Sequence, residues 1–155
     1  MSLISVIRFV ALLSTGLLAG IFLGDRVGLG FARPALPVSS FVRLQQIQHV
    51  HFVRMMPVLQ IAAILSTGAW LLLIRSRIGS SQFVVLALAA VGVLGVFALT
   101  LAINIPINNT LMTWNASAPP ANAMETWKRW EQVNTVRAIV SPIVFALETL
   151  GLILA

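Results

Sequence analysis

Four stretches of this chain are apolar for long enough to cross a lipid bilayer: Leu3 to Leu23, Pro57 to Ile74, Phe83 to Ile103 and Ala138 to Ala155. A helix needs roughly 20 apolar residues to span the hydrocarbon core, whereas a strand needs about half as many. Inside a bilayer every backbone N–H and C=O must find a partner within the protein, and at this length the α-helix is the form that satisfies them. The first stretch contains one charge, Arg8, the fourth contains one, Glu148, and the third contains none. Composition agrees, with 59% hydrophobic and 9% charged residues, against about 25% charged in an ordinary soluble domain. A soluble chain this short could not hide so much apolar surface from water. The expected fold is all-α: an integral membrane four-helix bundle, with residues 1–155 forming one domain. The first span is not read as a signal peptide, because its apolar stretch is long and Gly24-Asp25-Arg26 lacks a small-residue cleavage pattern.

The connections are unequal. A short basic turn, Arg75 to Ser81, joins the second and third spans, whereas about Gly24 to Met56 and Asn104 to Arg137 are long. With four spans both termini lie on one side of the membrane and both long connections on the other, where function is expected. Gly28, Gly30, Pro34 and Pro37 discourage a helix early in the first connection. Ser39 or Ser40 can cap a helix starting near Phe41, with a kink or a fresh start at Pro57. In the second connection, Asn104-Ile105-Pro106-Ile107-Asn108-Asn109 reads as a shaped loop, with Pro106 pushing Ile105 out of helical conformation. Pro119-Pro120 is placed to open a helix that runs on into the fourth span.

The polar residues of these connections form patterns. From about Ala121 to Arg137, at about 100° per residue, Trp127, Trp130, Glu131, Asn134 and Arg137 share one helix face about 120° wide. Lys128, Arg129, Glu125 and Gln132 fall on the other side. Tryptophans of an interfacial belt need no Asn and Arg beside them, so this face reads as a pocket wall. Asn104 and Asn108 sit where the third span leaves the apolar core. His49 and His51 are the two imidazoles. Two residues apart on a helix they point away from each other, so they do not share one metal ion as an i, i+4 pair would. One of them suits a general base, since imidazole exchanges protons near neutrality. Alternatively, one ligates haem b or a metal ion. Arg43 and Arg54 share a third face of the same helix and suit lipid phosphate or an anionic substrate.

Zero cysteine removes thiolate metal sites and dithiol redox chemistry. The net charge of +6 is dispersed around the apolar spans and forms no run, which favours anionic lipid headgroups over nucleic acid. Seven basic residues (Arg26, Arg33, Arg43, Arg54, Lys128, Arg129 and Arg137) flank the long connections, against Arg8, Arg75 and Arg77 opposite. This count puts the elaborated face in the cytoplasm. Arg8 and Glu148 lie equally far from the two chain ends, so they are expected at similar depth and paired.

The run Ala102 to Asn109, then Leu111, Trp114 and Pro119, then Trp127-Lys128-Arg129-Trp130 and Arg137, resembles the anthrone oxygenase-like family of small four-span membrane proteins. The match is strongest over about residues 100 to 140. The resemblance implies oxidation of a lipophilic phenolic or anthrone/quinone-type molecule by molecular oxygen, with no cofactor required. Such chemistry needs a base, donors for a developing oxyanion and a dry aromatic slot. His49 or His51 would be the base, and Asn104, Asn108, Trp127, Trp130, Asn134 and Arg137 would supply donors and walls. The competing classes are a haem- or metal-binding membrane protein using His49 or His51, and a non-enzymatic lipid-binding accessory subunit, with room for a homo-oligomer in each case.

Overall fold

The computed structural model describes residues 2–155. Its helices are α1 (Leu3–Gly24), α2 (Val38–Leu73), α3 (Ser81–Leu99), α4 (Ile105–Met112) and α5 (Ala123–Ile153), with no strand among the described residues. Four helical stretches are long and apolar enough to cross a membrane: Leu3–Ala35, Val38–Leu73, Ser81–Met112 and Ala123–Ile153. Serine hydroxyls cap two of them, Ser2 accepting from the Ser5 N–H at 3.3 Å and Ser80 from the Phe83 N–H at 3.2 Å. The protein is an all-helical integral membrane bundle. α1 packs on α2, α2 on α3, α3 on α5, and α5 back on α1. Each neighbour in this ring is antiparallel to the next.

Three apolar layers fill the ring. Ala11, Trp70, Ile74 and Leu86 pack at the end carrying the short turn. Leu18, Phe22, Ala63, Ala89, Val93, Val96, Ala138 and Val144 fill the middle. Phe41, Val42, Leu111, Trp127 and Trp130 close the elaborated end. Two glycines let α3 and α5 approach closely. A Cβ on Gly92 would stand 2.5 Å from Val144 Cγ2, and one on Gly151 2.8 Å from Leu86 Cγ. Large apolar side chains such as Leu65, Val91 and Ile139 point outward, as lipid-facing positions do.

Three local expectations are corrected. α2 starts at Val38, directly after an extended Pro37, so Ser39 and Ser40 lie inside its first turn and do not cap it. It also continues past Pro57 to Leu73, so of the two outcomes expected there no fresh start occurs, and the Val53 carbonyl, one turn earlier, has no proline N–H to accept. The stretch from Asn104 to Asn109 is helix, not loop. α3 widens into a π turn over Thr100–Asn104 and passes into α4, with Ile105 at φ −63° and ψ −49°. Pro106 then occupies the first turn of a new helix, where an N–H is not needed. A π turn is a local break of the kind that lets a helical run absorb such a residue.

The third correction concerns Arg8 and Glu148, which do not pair. Glu148 is fully buried and accepts hydroxyl hydrogen bonds from Thr15 of α1 at 2.6 Å and Thr67 of α2 at 2.5 Å. The Arg8 guanidinium lies over the Trp70 ring, 5.4 Å from its centroid. Thr15 is two turns beyond Arg8, which is about 10 Å along the axis. The first two turns of α1 thus reach the level at which α5 ends, so equal distance from the chain ends does not mean equal depth.

Candidate functional site

Polar side chains converge below the aromatic layer of the elaborated end. After α1 the chain makes a π turn, Asp25–Leu29, and then a 3-10 turn, Arg33–Ala35. This irregular path folds back against α5 and buries Arg33 almost completely. The Arg33 guanidinium grips the Asp25 carboxylate with both terminal nitrogens, Nη1 donating to Oδ2 at 3.0 Å and Nη2 to Oδ1. Its Nη1 is also 3.6 Å from Glu131 Oε2. Gly30 makes room there, since a Cβ would stand 2.8 Å from Glu131 Oε1. Arg26 approaches the same carboxylate at 3.7 Å and donates to Thr135 Oγ1 at 3.0 Å.

From Asp25 the network continues into α5 and α3. Asn134 Nδ2 donates to Asp25 Oδ2 at 2.8 Å, and Asn134 Oδ1 accepts from Arg137 Nη2 at 2.9 Å. Arg137 Nη1 donates to Thr100 Oγ1 at 3.2 Å, and the same oxygen accepts from Gln60 Nε2 at 3.2 Å. Thr100 stands at the start of the π turn that closes on Asn104. Asn104 is buried and donates to the Trp130 carbonyl at 3.4 Å. Trp127 and Trp130 stack at 4.2 Å with their planes 18° apart, and Phe41 meets Trp127 edge-on at 5.0 Å. Both buried guanidiniums lie against Trp130, Arg33 at 5.6 Å and Arg137 at 5.5 Å from the ring centroid. Such placement favours a cation where water is scarce.

These groups surround a cavity of about 140 Å³. Asp25, Arg33, Asn134, Arg137 and Trp130 form its polar wall, and α2 lines the opposite side with Gln45, Gln48, His49, Phe52, Met56 and Gln60. Five buried polar atoms on lining residues have no partner among the described residues: the donors Arg33 Nε, Gln45 Nε2, Trp130 Nε1 and Arg137 Nε, and the acceptor Asn104 Oδ1. A buried polar group left unpaired costs about 1–3 kcal/mol, so free hydrogen-bonding capacity on one cavity is what a ligand site retains. Three guanidiniums (Arg26, Arg33, Arg137) face two carboxylates (Asp25, Glu131). The cluster keeps one positive charge in excess.

The candidates read from the sequence divide accordingly. His49, Asn104, Asn108, Trp130, Asn134 and Arg137 line the cavity. Trp127 is buried behind Trp130 and supports it without lining the cavity. His51 is exposed and is not brought to the cavity, because it points away from His49 on the same helix. Arg43 and Arg54 are exposed. Lys128, Arg129, Glu125 and Gln132 are exposed on the far face of α5. No group of three or more His, Cys, Asp or Glu side chains among the described residues could hold a metal ion.

Sequence reading missed Asp25, Arg33, Gln45, Gln48, Gln60 and Thr100. Two signals were present. Asp25 is the one aspartate in the chain and stands at the end of an apolar span. Gln45, His49 and Gln60 fall at helical spacing on one face with Phe52 and Met56, so polar residues run on into an apolar helix.

Compared with known families, the chain matches the anthrone oxygenase family over residues 47–147. That span takes in His49, Asn104, Asn108, Trp127, Trp130, Asn134 and Arg137 and leaves out Asp25 and Arg33. No curated protein and no solved structure matches the chain. With well over half its length matched, and with the four long apolar helices and polar cavity described above, this oxygenase-like membrane protein belongs to the anthrone oxygenase family.

Proposed function

We propose that the cavity binds a lipophilic phenolic or anthrone/quinone-type molecule and that the protein oxidises it with molecular oxygen. The observation that carries this reading is the excess positive charge of the arginine cluster beside the unpaired donors of Arg137, Trp130 and Gln45. Preorganised donors of this kind stabilise an organic anion in a site shielded from water. His49 is the base. It takes a proton from the bound molecule and leaves an electron-rich anion held by Arg137 and Trp130. The anion adds oxygen, and the proton returns to the peroxide so formed. For an anthrone-type CH₂ group, loss of water then leaves a carbonyl, so that CH₂ and O₂ become C=O and H₂O. For a hydroquinone, loss of two electrons and two protons gives the quinone and hydrogen peroxide. The elaborated face lies in the cytoplasm in this reading, supported by the surplus of Arg and Lys there.

The test is oxygen uptake by the purified protein in lipid nanodiscs, with an anthrone and an alkylated hydroquinone as substrates. Arg137→Lys, Trp130→Phe and His49→Ala should each lower the rate at least tenfold, while His51→Ala keeps it. Absence of uptake with every substrate of this class sinks the reading. A Soret band in the purified protein that is lost in His49→Ala replaces it with haem chemistry.

A further inference from the structure

We infer that the ligand of this site is a single-ring phenol with an apolar extension, and that it enters sideways from the bilayer between α2 and the start of α4, leaving the extension in the lipid. The inference deepens the proposed function and rests on it for the phenolic head.

Size comes first. The cavity measures about 140 Å³, and an apolar cavity of about 150 Å³ encloses one benzene molecule. One ring with its hydroxyl group fills the space. A linear three-ring molecule entering end-on leaves two rings outside and its middle ring away from Arg137 and Trp130, so of the two substrate types proposed above the single-ring hydroquinone fits and the anthrone does not.

The way in follows from what covers the cavity. Toward the aqueous end it is sealed by the layer of Phe41, Val42, Leu111 and Trp127, all buried. Gln46 ties that lid to α2 by donating to the Leu111 carbonyl at 3.1 Å and the Trp114 carbonyl at 2.9 Å. Toward the bundle centre Phe22, Gln60 and Thr100 close it. The lining side chains that are themselves exposed are Val53 and Pro57 on α2 and Ile105 on α4, with Val53 52% and Ile105 38% exposed. Their outward neighbours, Val58 and Ile61 on α2 and Leu101 in the π turn, are also exposed and apolar. Arg54 is exposed beside Val53 on the same turn of α2, so a mouth framed this way opens to lipid at the headgroup boundary. The polar wall on α5 faces it from within, so a ring enters with its oxygen directed at Arg137 and its apolar extension trailing between Val53 and Ile105.

An extension that lies in lipid both before and after binding adds nothing to affinity once concentration is referred to the lipid phase. The experiment uses the full chain in nanodiscs and ring-brominated 4-alkylphenols, whose bromine quenches tryptophan fluorescence on contact. Partition into protein-free nanodiscs sets the lipid-phase concentration. The 4-methyl and 4-nonyl compounds should bind within threefold of each other, and an anthrone at least tenfold more weakly. Val53→Phe and Ile105→Phe should each weaken binding of the nonyl compound at least tenfold, whereas Val58→Phe, beside the mouth, should not. A tenfold or greater loss of affinity with chain length in the wild type means an enclosed ligand and overturns the inference, with no variant needed. Wild-type binding in both mouth variants overturns it too, because access would then be elsewhere. Oxygen uptake measured in parallel separates the two readings: binding as described without uptake ends the oxygenase reading alone, and uptake indifferent to the mouth variants ends this one alone.

Discussion

Arg33 and Asp25 are two charges that neither the apolar layer above nor the cavity below would accept singly. Arg33 is almost fully buried, its partners are Asp25, Glu131 and Gln48, and its guanidinium lies over Trp127 and Trp130. Breaking one side of a buried ion pair leaves an uncompensated charge, at a cost of about 3–5 kcal/mol. Arg33→Ala should therefore lower thermal stability in detergent sharply, and Asp25→Ala less, since that carboxylate is partly exposed. The double variant should be more stable than the sum of the single losses allows. Strict additivity would mean that the pair contributes no coupling. Asp25 also orients Asn134, which holds Arg137, so the irregular turn after α1 reaches Arg137 through two hydrogen bonds.

At the scale of elements, proline and glycine decide where helices bend and touch. Pro106 was expected in a loop and Pro57 at a kink or a fresh start, and both are carried within helical runs. In a membrane an interrupted helix leaves backbone groups unsatisfied, so the chain keeps winding wherever tertiary contacts allow it. Gly92 works the other way: its missing side chain lets α5 close on α3. Gly92→Ala gains about 1 kcal/mol of helix propensity but drives a methyl group into Val144, and overpacking costs about 1–3 kcal/mol. We expect a lower melting temperature for Gly92→Ala. Adding Val144→Ala to it should lower the temperature by less than the two single changes together. Two purely additive losses would place the α3–α5 contact elsewhere.

At the scale of the whole molecule, the two ionisable side chains inside the spans find separate partners. Arg8 sits on Trp70, and Glu148 is held by Thr15 and Thr67. The effects of Arg8→Leu and Glu148→Leu on thermal stability should thus add within about 0.3–0.5 kcal/mol. Glu148→Leu should be the costlier change, by about 1–3 kcal/mol, because it strips the buried Thr67 hydroxyl of its acceptor and leaves Thr15 with backbone carbonyls of its own helix alone. Glu148→Gln should recover most of that loss. A coupling well beyond the additive range would reinstate direct pairing of Arg8 with Glu148.

Period and hydropathy were enough to read the all-helical bundle, its four spans and the shared face of Trp127, Trp130, Asn134 and Arg137, because lipid admits so few backbone solutions. They were enough, too, to place the asparagines near that face, since both long connections must lie on one side of the membrane. What the chain order did not reveal is depth and folding-back. Helix register set Glu148 level with Thr15 instead of Arg8, and an irregular turn brought Asp25 and Arg33 under the tryptophans. Such contacts join residues far apart in the chain, 133 positions between Thr15 and Glu148 and 109 between Asp25 and Asn134. Local propensity carries no information about them: they depend on how far each helix slides along its neighbours before side-chain packing stops it.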